Sequence, residues 1–496
     1  MDWREEYRRK LISADEAAAQ IKSGDQVFLT FGEWASAIPD AVFSRRHELK
    51  DVRIYTTAAE NDPGWYSPGA PESFKMAQIC FSGELARASL DEGRSDFIPQ
   101  SLSTQFKLYD ERPKERRAID VFIVTVSPPD SQGLCSFGAY LWNKKAYAKR
   151  ARKVFAEVNE RVIRTNGDNF IHVSEIDHFV EHTPPLLYTT DEEVDIALAS
   201  VEDAEYRKKL KFIISNYIPS NMRGRVVPFL ALAKEGEIDL NFFGRTFGLA
   251  EPEEWVKRLA ENVSTLIKDG DCIQVGIGAP GVYFAQLGIF NNKIDLGLHS
   301  EVMSRGIAKL VEAGVITGKN KTLNTGRAVC TAATGADPED LAIINNNPKF
   351  ELYATDYVTN IKIVSANDNQ IAMNNAICVD LTGNINAETV LGPRIWGGIG
   401  GQPELHIGAM LSRGGRAITL LRSTAMEGGV SRIVPYMDEG SAITIPRYFA
   451  DYIVTEYGIA RMYGKTFRER ARELVAIAHP DFRADLTERA KALGMI

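Results

Sequence analysis

The chain has 496 residues, 44% of them hydrophobic and 25% charged, and a formal net charge of −8. This is the composition of a globular protein, of a length that calls for two α/β domains rather than one ordinary core. The negative balance, without a basic stripe carrying interleaved aromatics, argues against a nucleic-acid binder, so an anionic ligand must be held by local groups.

The N-terminal stretch MDWREEYRRKLISADEAAAQ is charged and lacks the apolar core of a signal peptide. No run of about 18 apolar residues occurs, so no membrane span is predicted. The cysteines at 80, 135, 272, 330 and 378 are scattered and form no C-x-x-C pair. That usage predicts structural thiols in a reducing cytoplasm.

In chain order, a helical pattern over Ala14–Ile21 leads into Ile21-Lys-Ser-Gly-Asp25, the strand-like Gln26–Phe31 and a turn at Gly32. Ala118–Val126 and Lys153–Val158 are short apolar runs of strand type. Phe170–His182 alternates strongly and reads as extended up to Thr183-Pro-Pro185. Within it, His178-Phe-Val-Glu-His182 matches the H-x-x-E-H zinc-protease signature. That chemistry needs both histidines on one helix face, which an extended segment denies, and no other metal-like cluster is present.

Residues 202–210 read as a charged helix and 234–254 as mixed and turn-rich, so the chain divides into domains 1–232 and 233–496. Trp255–Ile267 is then an amphipathic helix leading into Ile267-Lys-Asp-Gly-Asp271, the buried strand Cys272–Val275 and the turn Gly276-Ile-Gly278. The two I-K-x-G-D copies predict a duplicated α/β unit. Ala342–Ile344, Ala417–Leu421 and Tyr452–Thr455 continue the alternation of apolar runs with helical patterns. Such alternation favours largely parallel sheets, which bind ligands at strand ends near glycine turns.

Two glycine turns and one carboxylate stand out. Gly276-Ile-Gly-Ala-Pro-Gly281 is a literal G-x-G-x-x-G after a strand, with Asp295 near the spacing of a ribose contact. Pro280, however, lies where the helix should open, and the N-terminal copy, Gly32 to Pro39, lacks the pattern. The same backbone could cradle another phosphate or an oxyanion. Gly397-Gly-Ile-Gly-Gly-Gln402 carries an entropic cost that implies close approach of something to its backbone. Pro403 has no N–H, so any donors come from residues up to Gln402. Glu301 ends the short apolar run Ile294-Asp-Leu-Gly-Leu-His-Ser-Glu301. A carboxylate at a strand end and a loop of free N–H groups are two parts of an acyl-transfer site. His299 reads as structural, and Ser300 lacks a G-x-S-x-G elbow.

Motifs along most of the chain are similar to those of the acetyl-CoA hydrolase/CoA-transferase family, which includes 4-hydroxybutyrate CoA-transferases. They are Ser127-Pro-Pro-Asp130 with Gly133-Leu-Cys-Ser-Phe-Gly138, Arg164-Thr165 with Gly167-Asp168, and Ile171-His-Val-Ser-Glu-Ile-Asp177. The second half adds Asp295 to Glu301, Asn374 to Gly383, Gly398-Ile-Gly-Gly-Gln402, Ser431 to Pro435, Val454 to Ala460 and Ile477 to Phe482. The resemblance implies an α/β fold of two related, open, mostly parallel-sheet domains with the active site between them. It implies that Glu301 is the nucleophile and that Gly276, Gly278, Gly398, Gly400, Gly401 and Gln402 touch the thioester and CoA. Arg422 is a candidate cation for the CoA phosphates. Partners would be an acyl-CoA and a carboxylic acid, with coenzyme A as substrate, no cofactor permanently bound, and a homodimer or larger homo-oligomer.

The implied chemistry is ping-pong CoA transfer through a Glu301–CoA thioester. Hydrolysis by the same intermediate and non-catalytic CoA or nucleotide binding are the competing functions. The nucleophile must be ionised, so burial is expected not to raise its pKa far. The chain departs from the family pattern in places. Ser304-Arg305-Gly306 stands where relatives commonly have an aspartate, so Arg305 would either favour a second carboxylate on the substrate or point to solvent. Ala139-Tyr140-Leu-Trp142 and Trp34 would either shape a pocket for a bulky acyl group or pack into the core. Gln402-Pro-Glu-Leu405 replaces a usual Asp-Phe pair.

Overall fold

Both I-K-x-G-D segments fold into the same turn. Asp25 Oδ2 accepts the Lys22 N–H at 2.8 Å, and Asp271 Oδ2 accepts the Lys268 N–H at 2.5 Å. The intervening glycine has φ of +85° at Gly24 and +74° at Gly270, a region open to glycine at little cost. The computed structural model describes residues 2–32, 35–57, 62–67, 69–70, 72–79, 84–184, short pieces of 195–211, 251–334 and 338–496. In it each turn launches the central strand of a large sheet.

The first sheet contains β1 (Gln26–Leu29), β2 (Val52–Thr56), β3 (Phe74–Ile79), β4 (Ser95–Ile98), β5 (Val121–Val126), β6 (Lys153–Val158) and β8 (His178–Glu181). Its order is β8-β6-β5-β1-β2-β3-β4, parallel throughout. The second contains β7 (Asn166–Gly167), β9 (Cys272–Val275), β10 (Gly297–His299), β11 (Ala328–Cys330), β12 (Phe350–Leu352), β13 (Gln370–Asn375), β14 (Arg416–Leu420), β15 (Tyr452–Thr455) and β16 (Gly458–Arg461). Its order is β16-β15-β14-β13-β9-β10-β11-β12-β7. Overlaying β1 on β9 brings β2, β3 and β4 onto β10, β11 and β12 on one side. On the other side β5, β6 and β8 fall on β13, β14 and β15. The duplicated unit is thus a whole sheet. Two strands break the correspondence: β16, antiparallel to β15, and β7, which the first half of the chain adds beside β12.

The helices entering each copy are α1 (Ala14–Ala19), started by a Ser13/Glu16 capping box, and α3 (Glu254–Ser264). The latter buries Val256, Leu259, Ala260 and Val263, an i, i+3, i+4, i+7 stripe facing the sheet. One apolar core runs from Phe28 and Phe122 to Leu298 and Ile371, so it spans both sheets.

The extended reading of Phe170–His182 holds over Phe170–His172 and over strand β8 but is broken by a 3-10 turn at Val173–Glu175, where the Glu175 side chain caps the His172 N–H. Among the described residues no group of three or more potential metal ligands occurs. Among the same residues no helix is long and apolar enough to cross a membrane. The strand-type reading of Ala342–Ile344 is wrong: the run closes a helix, Pro338–Ile344. Its proline and acidic first turn are helix-start signals, and three apolar residues are too few to show a period. Most of the expected boundary region, 202–254, lies outside the described residues.

Candidate active site

Because the strands of the second sheet are parallel through β15, their carboxyl ends share one edge. β9 runs out at Val275 into Gly276, β10 at His299 into Ser300-Glu301, β13 at Asn375, and β14 at Leu420 ahead of Arg422. The sheet thereby collects Gly276, Gly278, Glu301 and Arg422 on one rim, where open α/β sheets bind ligands. The Glu301 main chain is pinned from the next strand. Its carbonyl accepts the N–H groups of Thr331 at 3.0 Å and Ala332 at 3.3 Å, and the Ser300 hydroxyl donates to Val302 O at 2.6 Å.

The second glycine turn closes on this side chain. Gly401 N–H donates to Glu301 Oε2 at 2.7 Å. A Cβ at Gly401 would lie 2.5 Å from that oxygen and 2.7 Å from Thr359 Cγ2. Gly401 also starts α4 (Gln402–Leu411), with Pro403 in its first turn, the position where a missing N–H costs nothing. The Gln402 N–H is spent on Ile399 O at 3.2 Å, and its side chain donates to Asn375 O at 3.1 Å. Asn375 Nδ2 in turn donates to Ile277 O at 2.7 Å. Asn375 thus links the two glycine turns. Its Oδ1 is buried without a hydrogen-bond partner among the described residues. Gly398 is half-buried and Gly400 buried, both within the turn that delivers Gly401.

Glu301 is 8% exposed. Burial pushes its carboxyl pKa up to about 8, with the Gly401 hydrogen bond opposing the rise and the nearby Glu404 carboxylate adding to it. The expectation of a little-perturbed nucleophile is therefore corrected: loss of hydration outweighs one N–H donor. His299 is fully buried with Nε2 on Val358 O at 2.8 Å. Burial takes its pKa down to about 3, so it is a neutral structural group, as read from the sequence.

The first half contributes through the excursion after β5. Arg164 ties that loop down, donating to Ser127 Oγ at 3.0 Å and pairing with Asp130 at 2.7 Å. The loop then crosses to the second sheet. Leu141 N–H donates to Thr331 O at 2.9 Å, and Ala333 N–H donates to Ala139 O at 2.8 Å. Tyr140 bridges Ala332, which also bridges Val302, so Tyr140 reaches the segment flanking Glu301. Its ring covers Gly32, where any Cβ would overlap it, and meets Phe31 edge-on. Arg305 is half-buried in the turn after Glu301. Arg422 lies on the shared edge but is engaged elsewhere, 3.7 Å from Glu253 and over the Trp255 ring. Trp34 lies outside the described residues. Gly276 and Gly278 occupy the first turn, where a Cβ at Gly276 would stand 2.8 Å from Asn374 Oδ1. That turn opens a single 3-10 turn, Gly281–Tyr283, rather than the long helix whose N-terminus a dinucleotide site uses.

Glu404 was given no role from the sequence. It is 5% exposed, on the first turn of α4, and it accepts from Ser101, Ser103 and Thr359. Its only signal in the chain was its place in the altered Gln402-Pro-Glu-Leu405 stretch.

Residues 1–187 match the model of the acetyl-CoA hydrolase/transferase N-terminal domain, and residues 339–490 that of the acetyl-CoA hydrolase/transferase C-terminal domain. A 4-hydroxybutyrate coenzyme A transferase of Clostridium kluyveri is 35% identical over 99% of both chains. A succinyl-CoA:cyclohexane-1-carboxylate CoA transferase of Geobacter metallireducens is 30% identical over 100% of this chain and 98% of its own. Among solved structures, RipA from Yersinia pestis is similar over 100% of both chains, with a TM-score of 0.78 and 28% identity.

Proposed function

The chain belongs to the acetyl-CoA hydrolase/transferase family, and we propose that it moves CoA from an acyl-CoA to a free carboxylic acid through a covalent thioester on Glu301. The observation that carries this reading is the Gly401 N–H, 2.7 Å from Oε2 of a carboxyl group that is itself buried.

A Glu301 carboxylate oxygen attacks the thioester carbonyl, the C–S bond breaks, and CoA leaves as thiolate from an acyl–glutamyl anhydride. The thiolate attacks the glutamyl carbonyl and the bond to the acyl oxygen breaks. This releases the first acid as carboxylate and leaves the Glu301–CoA thioester. A second carboxylate repeats both steps in reverse and departs as its CoA ester, restoring the Glu301 carboxylate. Charge is conserved at each stage, and CoA comes and goes as substrate, so the cycle calls for no resident cofactor.

Each addition places negative charge on a former carbonyl oxygen. The rim supplies the Gly401 N–H from the Gly397–Gln402 turn for that charge, and one such donor is worth about 3 kcal/mol in a water-poor site. The glutamyl thioester carbonyl occupies the place of the present carboxyl group, within reach of Gly401. Burial of Glu301 also favours transfer over hydrolysis, since water must be kept from the intermediate. Arg305 and Tyr140, on segments flanking Glu301, are the residues we assign to acyl-group selection. Arg422 is the cation on the rim assigned to the CoA phosphates.

Acyl-CoA consumption measured with and without acetate, succinate and aromatic acids tests the reading, together with borohydride reduction after acyl-CoA addition and peptide mass analysis. Acceptor-dependent exchange with label on Glu301 is expected. Full-rate CoA release without acceptor, or label elsewhere, refutes it.

A further inference from the structure

We propose that Glu404 is a positioning residue for this chemistry, joining the first half of the chain to the turn that places the Gly401 N–H on Glu301. The proposal rests on the function assigned above and adds a group that does not itself meet substrate.

Glu404 Oε1 accepts the Ser101 hydroxyl at 2.5 Å, the Ser103 N–H at 3.2 Å and the Ser103 hydroxyl. Oε2 accepts the Thr359 hydroxyl at 2.8 Å. Ser101 and Ser103 follow β4 of the first sheet, and Leu102 between them is 3% exposed in the shared core, so the two donors are anchored. Thr359 belongs to the second half and its methyl group backs Gly401. Glu404 is separated from Gly401 by one helical turn whose first hydrogen bond, Leu405 N–H to Gly401 O, measures 2.9 Å. Displacement of the Glu404 carboxylate therefore displaces Gly401.

The turn is also held on its other flank. Arg394 Nη2 pairs with Asp91 of α2 (Glu84–Asp91) at 2.6 Å, and Arg87 donates to Trp396 O at 3.0 Å and covers its ring. The Arg394–Asp91 pair is 47% and 37% exposed, and pairs of that kind contribute little. Hydrogen bonds to the buried, charged Glu404 are the stronger fastening. The buried clasp is therefore the one that sets the distance to Glu301.

Four variants separate positioning from bulk stability, each assayed well below its melting temperature and at its own pH plateau. Glu404→Ala, and Ser101→Ala with Ser103→Ala, should each lower kcat for CoA exchange about 10- to 100-fold, the scale of a misplaced catalytic group. The KM for acyl-CoA should stay within about threefold. Combining both changes should cost little more than either alone, since they cut the same link. Glu404→Gln keeps an acceptor for the serines and should recover most of kcat. The proposal is overturned if Glu404→Ala keeps kcat within about twofold of the parent, if the two effects multiply fully, or if Gln is no better than Ala. Glu301→Ala in the same series tests the covalent reading separately: loss of exchange there, with Glu404→Ala unaffected, sinks only the present proposal.

Discussion

Gly401 and Glu301 are matched in shape as well as in hydrogen bonding: the N–H of one lies 2.7 Å from a carboxyl oxygen of the other, and a methyl group on Gly401 would lie 2.5 Å from the same atom. The φ of Gly401 is −86°, so the backbone would accept any residue. Glycine is required here by the space Glu301 occupies rather than by backbone freedom.

Gly401→Ala should therefore fail on sterics alone. Either Glu301 or α4 must shift, costing about 1–3 kcal/mol of stability as overpacking does and about 10²-fold in kcat from the displaced donor. Thermal melts and initial exchange rates measure the two separately. Unchanged kinetics would show that the turn moves away from Glu301 during turnover.

The raised pKa of Glu301 predicts a pH dependence. The attacking form is the carboxylate, so kcat/KM should climb with pH through about 8 and level off above it. Glu404 is the charged neighbour that raises this pKa, so Glu404→Gln should move the acid limb to lower pH. A limb unmoved in that variant would show that burial alone sets it.

The same shift has a consequence for stability. A carboxyl group whose pKa is raised on folding stabilises the native state below its unfolded value and loses that contribution as pH rises to the folded value. Between about 4.5 and 8, wild-type stability should fall relative to Glu301→Gln. Melting curves of the two proteins should converge near pH 4 and diverge at pH 8–9, with the glutamine variant the more stable.

The repeated aspartates offer a paired comparison. Asp271 forms a buried ion pair with Arg416, the side chains 2% and 10% exposed, and also accepts the Lys268 N–H. Asp25 holds the equivalent Lys22 N–H and is only half-buried. Asp271→Ala should cost about 3–5 kcal/mol because it strands a buried guanidinium, whereas Asp25→Ala should cost about 1 kcal/mol for one lost hydrogen bond. Denaturant titrations distinguish these, and equal losses would mean that Arg416 finds another partner.

Much of this was legible in the chain because it is local. The I-K-x-G-D turns, the extended His178–Glu181 and the strand-end position of Glu301 each depend on a few consecutive residues. The burial of Glu301 was not legible: it requires α4 and its turn, a hundred residues away, to fold over the strand end. Glu404 was missed for the same reason. A glutamate in the first turn of a helix ordinarily complements the helix dipole in water, and only the approach of Ser101 and Ser103 from the other sheet makes it a buried junction. Ala342–Ile344 misled because its apolar side chains carry no period over three positions.

Strand β7, Asn166–Gly167, completes the second sheet from within the first half of the chain. Cutting between the repeats would leave one fragment holding a strand that belongs to its neighbour and the other with β12 bare along one edge. The two copies are therefore interlocked as well as joined. The second sheet is thus completed in space by a segment that precedes it in the chain by more than a hundred residues.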